Sequence, residues 1–118
     1  MKTTQEVANR LVELCRQGQI PQAMQELYDD DILSVEPDRS LTKTAKGKAA
    51  VSEKGKQFAS MIEVRHGGSF SDPIVGGRYF SIAMILDATF KGIGRMEFDE
   101  ICLYEVKDGK IVKEQFFF

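Results

Sequence analysis

A chain of 118 residues, 42% apolar, 29% charged and with net charge −2, has the length of one domain and the composition of an ordinary globular protein. So little net charge excludes a global field that selects polyanions, and the local positive run Arg39, Lys43, Lys46, Lys48, Lys54 and Lys56 has no nucleic-acid motif around it and reads as a solvated loop and helix face. Lys2, Glu6, Arg10, Glu13 and Arg16 break up the N-terminal region, which excludes a signal peptide or membrane span there, and Cys15 and Cys102, without CxxC spacing or a neighbouring histidine, read as free buried thiols of a cytoplasmic protein.

Thr3-x-x-Glu6 is a capping box, and Val7, Leu11, Leu14 and Cys15 then recur at helical spacing as far as Gly18. Pro21 suits the first turn of a second helix, with Ile20, Met24, Leu27 and Tyr28 on one stripe. Asp29, Asp30 and Asp31 are expected to end it, because carboxylates at a helix C-terminus oppose the macrodipole. Residues 32–36 read as a short strand stopped by Pro37, which sets Glu36 at a strand mouth, and residues 38–46 as a polar loop flanking whatever opening the sheet and helices leave. From Gly47 to about residue 62 the pattern predicts a third helix that buries Val51, Gly55, Phe58, Met61 and Ile62, with Gly55 allowing close approach to the sheet.

The rest reads as β-structure. Residues 63–75, broken by Gly67-Gly68 and Pro73, form an edge or bulged strand. Gly76-Gly77 turns into a long strand with Phe80, Ile82, Met84, Leu86 and Phe90 on the face toward the helices and Tyr79, Ser81, Asp87 and Thr89 on the other. Residues 95–118 read as a hairpin about Asp108-Gly109, a pair that tolerates the positive φ of a type I′ turn. Glu97, Glu100, Glu105 and Glu114 cannot all lie on the wet face of that hairpin if both strands alternate, a first sign of a polar site in apolar surroundings.

This order of elements, closed by DGKIVKEQFFF, resembles the NTF2-like superfamily, and especially its SnoaL-like small-molecule branch, over nearly the whole chain. The resemblance implies one α+β domain over residues 1–118, of NTF2-like or cystatin-like type, in which a curved antiparallel sheet is closed into a cone by three N-terminal helices. In that superfamily the cone's apolar cavity serves ketosteroid isomerases, polyketide cyclases and hydrolases as an active site, while many relatives only bind or dimerise. LYDDDILSVEP looks like the isomerase stretch in which a carboxylate before proline acts as general base, here Glu36. The same comparison puts the oxyanion-hole positions at about Leu11 and near Ile101, and neither side chain donates a hydrogen bond, so steroid isomerisation by that constellation is not expected.

Counting back from Gly109 across a two-residue turn sets Ile101 and Leu103 on the face of Val112, Glu114, Phe116 and Phe118, and the resemblance turns that face toward the cavity. Desolvation amid Phe and Leu would raise the Glu114 pKa and make it a proton shuttle; the alternative is an ion pair with Lys113 or Arg95. His66, the only histidine, is a candidate acid, base or orienting donor, or a satisfied surface residue; an unbulged hairpin would set it opposite Asp87. Phe58, Phe80, Met84, Leu103, Phe116 and Phe118 are the candidate pocket lining, drawn from residue types that also build plain cores. Apolar residues left on the outer sheet face, either Ile85 or Cys102 and Tyr104, predict a homodimer through that face. With no GxSxG, P-loop, HExxH, GxGxxG or CxxC pattern, neither metal nor cofactor is expected. The expected function is binding of a small, largely apolar molecule whose carbonyl or enol is handled by Glu36, His66 or Glu114, all three facing one cavity, against the alternative of a non-catalytic binding or dimerisation module.

Overall fold

The structure, a computed structural model, describes residues 1–118. Helices α1 (Thr4–Arg16), α2 (Ile20–Leu27) and α3 (Lys48–Met61) accompany one seven-stranded sheet made of β1 (Tyr28–Val35), β2 (Ala45–Lys46), β3 (Ile62–Phe70), β4 (Ile74–Gly76), β5 (Tyr79–Phe90), β6 (Gly94–Lys107) and β7 (Lys110–Phe117). The sheet is curved and open, with strand order β2-β1-β7-β6-β5-β3 and β4 also pairing with β5, so the α+β expectation holds. One ladder departs from the expected antiparallel sheet. β1 lies parallel to β7, because the chain leaves it through α3 and the whole meander before the last strand returns beside it.

Local signals account for most element boundaries. The Thr3 hydroxyl accepts from the Glu6 N–H while the Glu6 carboxylate accepts from the Thr3 N–H, the reciprocal box that starts α1. Asp108 and Gly109 sit at φ 50° and 76°, as a type I′ turn requires, with Lys107 paired to Lys110 across it. β3 is an edge strand with register shifts near Val64 and His66, and a Cβ on Gly68 would lie 2.7 Å from the Ile85 carbonyl oxygen, which explains its glycine.

Two expectations about the helices are corrected. Asp29, Asp30 and Asp31 do not end α2 but lie inside β1, since the chain passes straight from helix to strand at Tyr28, which pairs with Ile111 of β7 and buries its ring. Gly55 opens α3 toward α2 rather than toward the sheet: a Cβ there would meet the Met24 Cε at 3.1 Å. Of the five residues expected to be buried by this helix and its end, only Val51 is fully so.

The interior divides in two. One apolar cluster joins Val7, Leu11, Leu14 and Cys15 of α1 and Leu27 of α2 to Phe80, Ile82, Cys102, Tyr104, Val106 and Ile111. The other is Leu86, Ala88, Phe90 and Phe98, with Phe58, Leu41 and Phe118 packed against it. Ser34, Glu100 and Glu114 are the only buried polar residues of the chain, and in strand β6 Glu100 falls between Phe98 of one cluster and Cys102 of the other.

Candidate functional site

The register of the last hairpin creates the site. From the turn, Val106 pairs with Ile111, but Glu105 pairs with Lys113, so Val112 is an extra residue and the ladder continues as Tyr104 opposite Glu114, Cys102 opposite Phe116 and Ile101 opposite Phe117. The bulge reverses the facing of the later residues of β7 alone, so Glu114 turns to the face of Ile111 and Val106 while β6 keeps its alternation. Leu103 and Ile101 point outward and so do not share a face with Glu114 as expected, and Glu100, on the same alternation as buried Val106, points inward.

Glu114 is 2% exposed. Both carboxyl oxygens are hydrogen-bonded, Oε1 by the Tyr28 hydroxyl and Oε2 by the Ser34 hydroxyl at 2.7 Å. Burial drives its pKa up, and the Tyr28 and Ser34 bonds and the Lys54 charge hold it back. No pairing with Lys113 or Arg95 occurs; Lys113 neighbours Glu105 across the ladder and Arg95 bridges Asp87. The Lys54 Nζ donates to Ser34 Oγ at 2.5 Å and to Glu36 Oε1 at 3.2 Å, and stands 5.7 Å from the centroid of the Phe116 ring. A continuous polar chain thus runs from Tyr28 through Glu114, Ser34 and Lys54 to Glu36.

Glu36 ends that chain at the strand mouth, with its side chain 9% exposed. Besides Lys54 it accepts from the Ser40 hydroxyl at 2.8 Å and, at 3.4 Å, from that of Thr42. Glu100, 7% exposed, contrasts with it: its one side-chain partner is the Cys102 thiol at 3.6 Å, a weak donor. Since no fully buried side-chain polar atom of the chain lacks a partner, its second oxygen keeps some contact with solvent. Burial pushes its pKa to about 7, with the Glu36 charge adding to the rise and the thiol opposing it.

Aromatic side chains surround this polar layer. Phe58, Phe90, Phe98 and Phe118 meet edge to face at 5.4–6.0 Å, and Phe80 stacks on Tyr104 at 4.7 Å deep in the first cluster. Met84 lies opposite Glu100 and Phe116 opposite Cys102 on the inner face, both half-buried. Glu114, Phe80, Met84 and Phe116 thus lie on the inner face of the sheet, Phe58 of α3 and Phe118 pack on the Phe90–Phe98 cluster, and Glu36 follows the end of β1.

His66 does not join them. It is exposed, its Nε2 lies 2.7 Å from Thr89 Oγ1, and the bulge sets Gly67, not His66, opposite Asp87. Asp87 is held instead by both nitrogens of Arg95 at 2.8 and 3.0 Å. Two surface depressions lie elsewhere: one of about 360 Å³ lined by Asn9, Val12, Glu13, Arg16, Gln17, Asp72 and Pro73, the other of about 100 Å³ on the outer face lined by Tyr79, Leu103, Glu105, Lys113 and Gln115. Neither touches the polar chain.

Sequence reading missed Lys54, Tyr28, Ser34 and the inward place of Glu100. Lys54 was hidden in a run of positive charge that reads as solvated, yet its side chain is 11% exposed. Tyr28 fitted a helical stripe. For Glu100 there was a signal, its opposite parity to Glu97 and Glu105 along one alternating strand.

A family model described as a SnoaL-like domain matches residues 2–118. A Mesorhizobium loti protein named as a SnoaL-like polyketide cyclase, with carbohydrate phosphatase as a second descriptor, is 36% identical, the alignment covering 99% of this chain and 100% of that one with a TM-score of 0.93. An NTF2-like protein of Burkholderia thailandensis (15% identity, 99% and 91% coverage, TM-score 0.86) has the same fold. So does a Catenulispora acidiphila protein with a ketosteroid isomerase-like fold in complex with trimethylamine (20% identity, 98% and 87% coverage, TM-score 0.74). No curated protein matches the chain.

Proposed function

Because the chain belongs to the SnoaL-like domain family, we propose that the concave face of its sheet binds a small, largely apolar molecule through a carbonyl or enol oxygen and carries out cofactor-free acid–base chemistry on it. The observation that carries this reading is Glu100, a carboxyl with a pKa of about 7, weakly partnered, on an aromatic and methionine-lined face shared with the Glu36–Lys54 ion pair. A group that is half protonated near neutral pH donates a proton or a hydrogen bond to a developing oxyanion and takes it back in the same cycle. Glu36 is the base that removes a proton from carbon, and Lys54 holds it in place. Glu114 is too deep to touch a ligand and acts through Ser34 on the position of Lys54. The name of the Mesorhizobium relative, a polyketide cyclase, agrees with a carbonyl-bearing substrate. The free buried thiols Cys15 and Cys102 suit a reducing, cytoplasmic setting.

A second reading, plain binding or dimerisation, is favoured by the three donors already on Glu36. We propose that the chain also forms a homodimer through the outer sheet face, where Ile85, Ile101, Leu103 and Phe117 are each 36–48% exposed. Thermal-shift and native mass-spectrometric screening with aromatic polyketides, steroids and lipophilic acids tests the ligand. A hundredfold excess over Kd adds about 2.7 kcal/mol of apparent stability, well within detection. Turnover that vanishes in Glu36→Gln and Glu100→Gln while binding persists marks the enzyme. Binding without turnover in the wild type selects the second reading.

A further inference from the structure

We infer that residues 37–44 form a strap that closes the open side of the concave face and keeps Glu36 capped until a ligand displaces it. The inference rests on the reading of Glu36 as a ligand-facing group. The base of the strap is fixed at both ends. Ser34 pairs with Ala45 and Leu33 with Lys46 between β1 and β2, and the Glu36 N–H donates to Thr44 Oγ1 at 3.0 Å, so the segment leaves and re-enters the sheet at neighbouring positions. Its near half is shaped by its own turn, in which the Ser40 N–H donates to the Pro37 carbonyl at 3.0 Å and the Ser40 hydroxyl accepts from the Thr42 N–H at 3.2 Å.

What holds the tip down is a small set of side-chain contacts. The Arg39 Nε donates to the Phe118 carbonyl oxygen at 2.7 Å, and its guanidinium carbon lies 5.7 Å from the centroid of the Phe118 ring. Leu41 rests on the aromatic cluster of Phe90 and Phe98. The hydroxyls of Ser40 and Thr42 supply two of the three side-chain donors that Glu36 receives, and the third is Lys54. The strap is therefore clasped at its base, latched at its tip by an exposed arginine, and bonded in between to the carboxylate proposed as base. With the strap down Glu36 is a satisfied acceptor; with it lifted, Glu36 keeps Lys54 and regains free lone pairs. The latch is cheap to open, since Arg39 is exposed and competes with water for its acceptor.

Chemical labelling of the ligand-free protein decides this without any ligand, so its outcome stands apart from the fate of the functional reading. Carboxyl groups are amidated with glycinamide and a carbodiimide and scored by peptide mass spectrometry, with exposed Glu53 as the internal standard and buried Glu114 as the indicator of an intact fold. In the wild type Glu36 is expected to label at a small fraction of the Glu53 rate. Arg39→Ala is expected to raise the Glu36 rate about fivefold, the change in open population for one exposed hydrogen bond lost, with Glu114 still unlabelled. If Glu114 labels in Arg39→Ala, the fold has been lost and Arg39→Met, which keeps the apolar stem, is scored by the same criterion. Equal rates for Glu36 and Glu53 in the wild type, or an unchanged Glu36 rate in the folded variant, overturns the strap.

Discussion

Glu114 of β7 stands opposite Tyr104 of β6, one residue away from the Leu103 that an unbroken hairpin would give it. The extra Val112 lets Ile111 and Glu114 both be buried on one strand, although an odd and an even position on an unbulged strand face opposite ways. On β6, where the alternation is unbroken, the buried set is Phe98, Glu100, Cys102, Tyr104 and Val106. A single inserted residue thus turns Glu114 to the face that Glu100 already occupies and away from that of Ile101 and Leu103.

The Glu114 bonds predict a difference between two substitutions. Glu114→Leu leaves the buried Tyr28 and Ser34 hydroxyls without an acceptor and is expected to cost about 2–6 kcal/mol, at about 1–3 kcal/mol for each stranded group. Glu114→Gln keeps one acceptor oxygen and the volume, and is expected to cost less than half as much. Urea unfolding of the two variants ranks them, and equal losses would show that the bonds contribute nothing.

Stability should fall as pH rises from about 4.5 through about 7. Folding raises the Glu100 pKa from 4.5 to about 7, so between those values the folded chain holds a proton that the unfolded chain has released, and its stabilising effect is complete below 4.5 and gone above 7. Burial shifts Glu114 in the same direction. Glu26, drawn down to about 2 by Arg10, works oppositely and only below 4.5, where falling pH removes its contribution. Glu100→Gln is expected to flatten the upper window by about 3 kcal/mol, from 1.36 kcal/mol per pKa unit. Denaturant midpoints of the two proteins at pH 5 and pH 8 measure it; parallel profiles would refute the assignment.

Lys54→Met strands the Glu36 charge and removes a donor from Ser34, at an expected cost of about 3 kcal/mol for an ion pair this little exposed. Adding Glu36→Leu should recover part of that loss, because a buried pair costs more to break than to replace. A double-mutant cycle on unfolding free energies reads the coupling. Additive losses would mean that the two residues do not interact.

The outer face predicts a dimer that one charge can split. Ile101→Glu or Leu103→Glu is expected to give monomers in sedimentation equilibrium with an unchanged far-ultraviolet circular dichroism spectrum. A wild-type chain that sediments as a monomer at micromolar concentration removes the dimer.

His66→Ala should be silent in every assay of the concave face, because the imidazole is exposed and turned to Thr89. Its expected effect on stability is within about 0.5 kcal/mol. A loss of ligand binding or turnover in this variant would return His66 to the site.

Features whose cause lies within a few neighbouring residues were legible in the chain: the capping box of Thr3 and Glu6, the Asp108-Gly109 turn, the alternation of β5, and the Gly-broken edge strand. Each depends on a local dihedral, a local hydrogen bond or the period of two along a strand, so the order of elements and the α+β class could be read without the tertiary structure. Even Glu100 left a trace, since it is an odd number of positions from both Glu97 and Glu105 and alternation cannot set all three on the wet face.

The fold alone decided which of those glutamates faces inward. Tyr28 both caps α2 and begins β1, where it pairs with Ile111 and its hydroxyl donates to Glu114, 86 positions further along the chain. β7 lies between β1 and β6 and both of its ladders shift register near Val112, while no residue in DGKIVKEQFFF marks the bulge locally. Lys54 reads as a surface lysine until Ser34, Glu36 and the Phe116 ring, none of them near it in sequence, converge on its ammonium group. Burial of a charge is a property of what surrounds it in space, and that is set only when distant strands pair and one of them takes an extra residue.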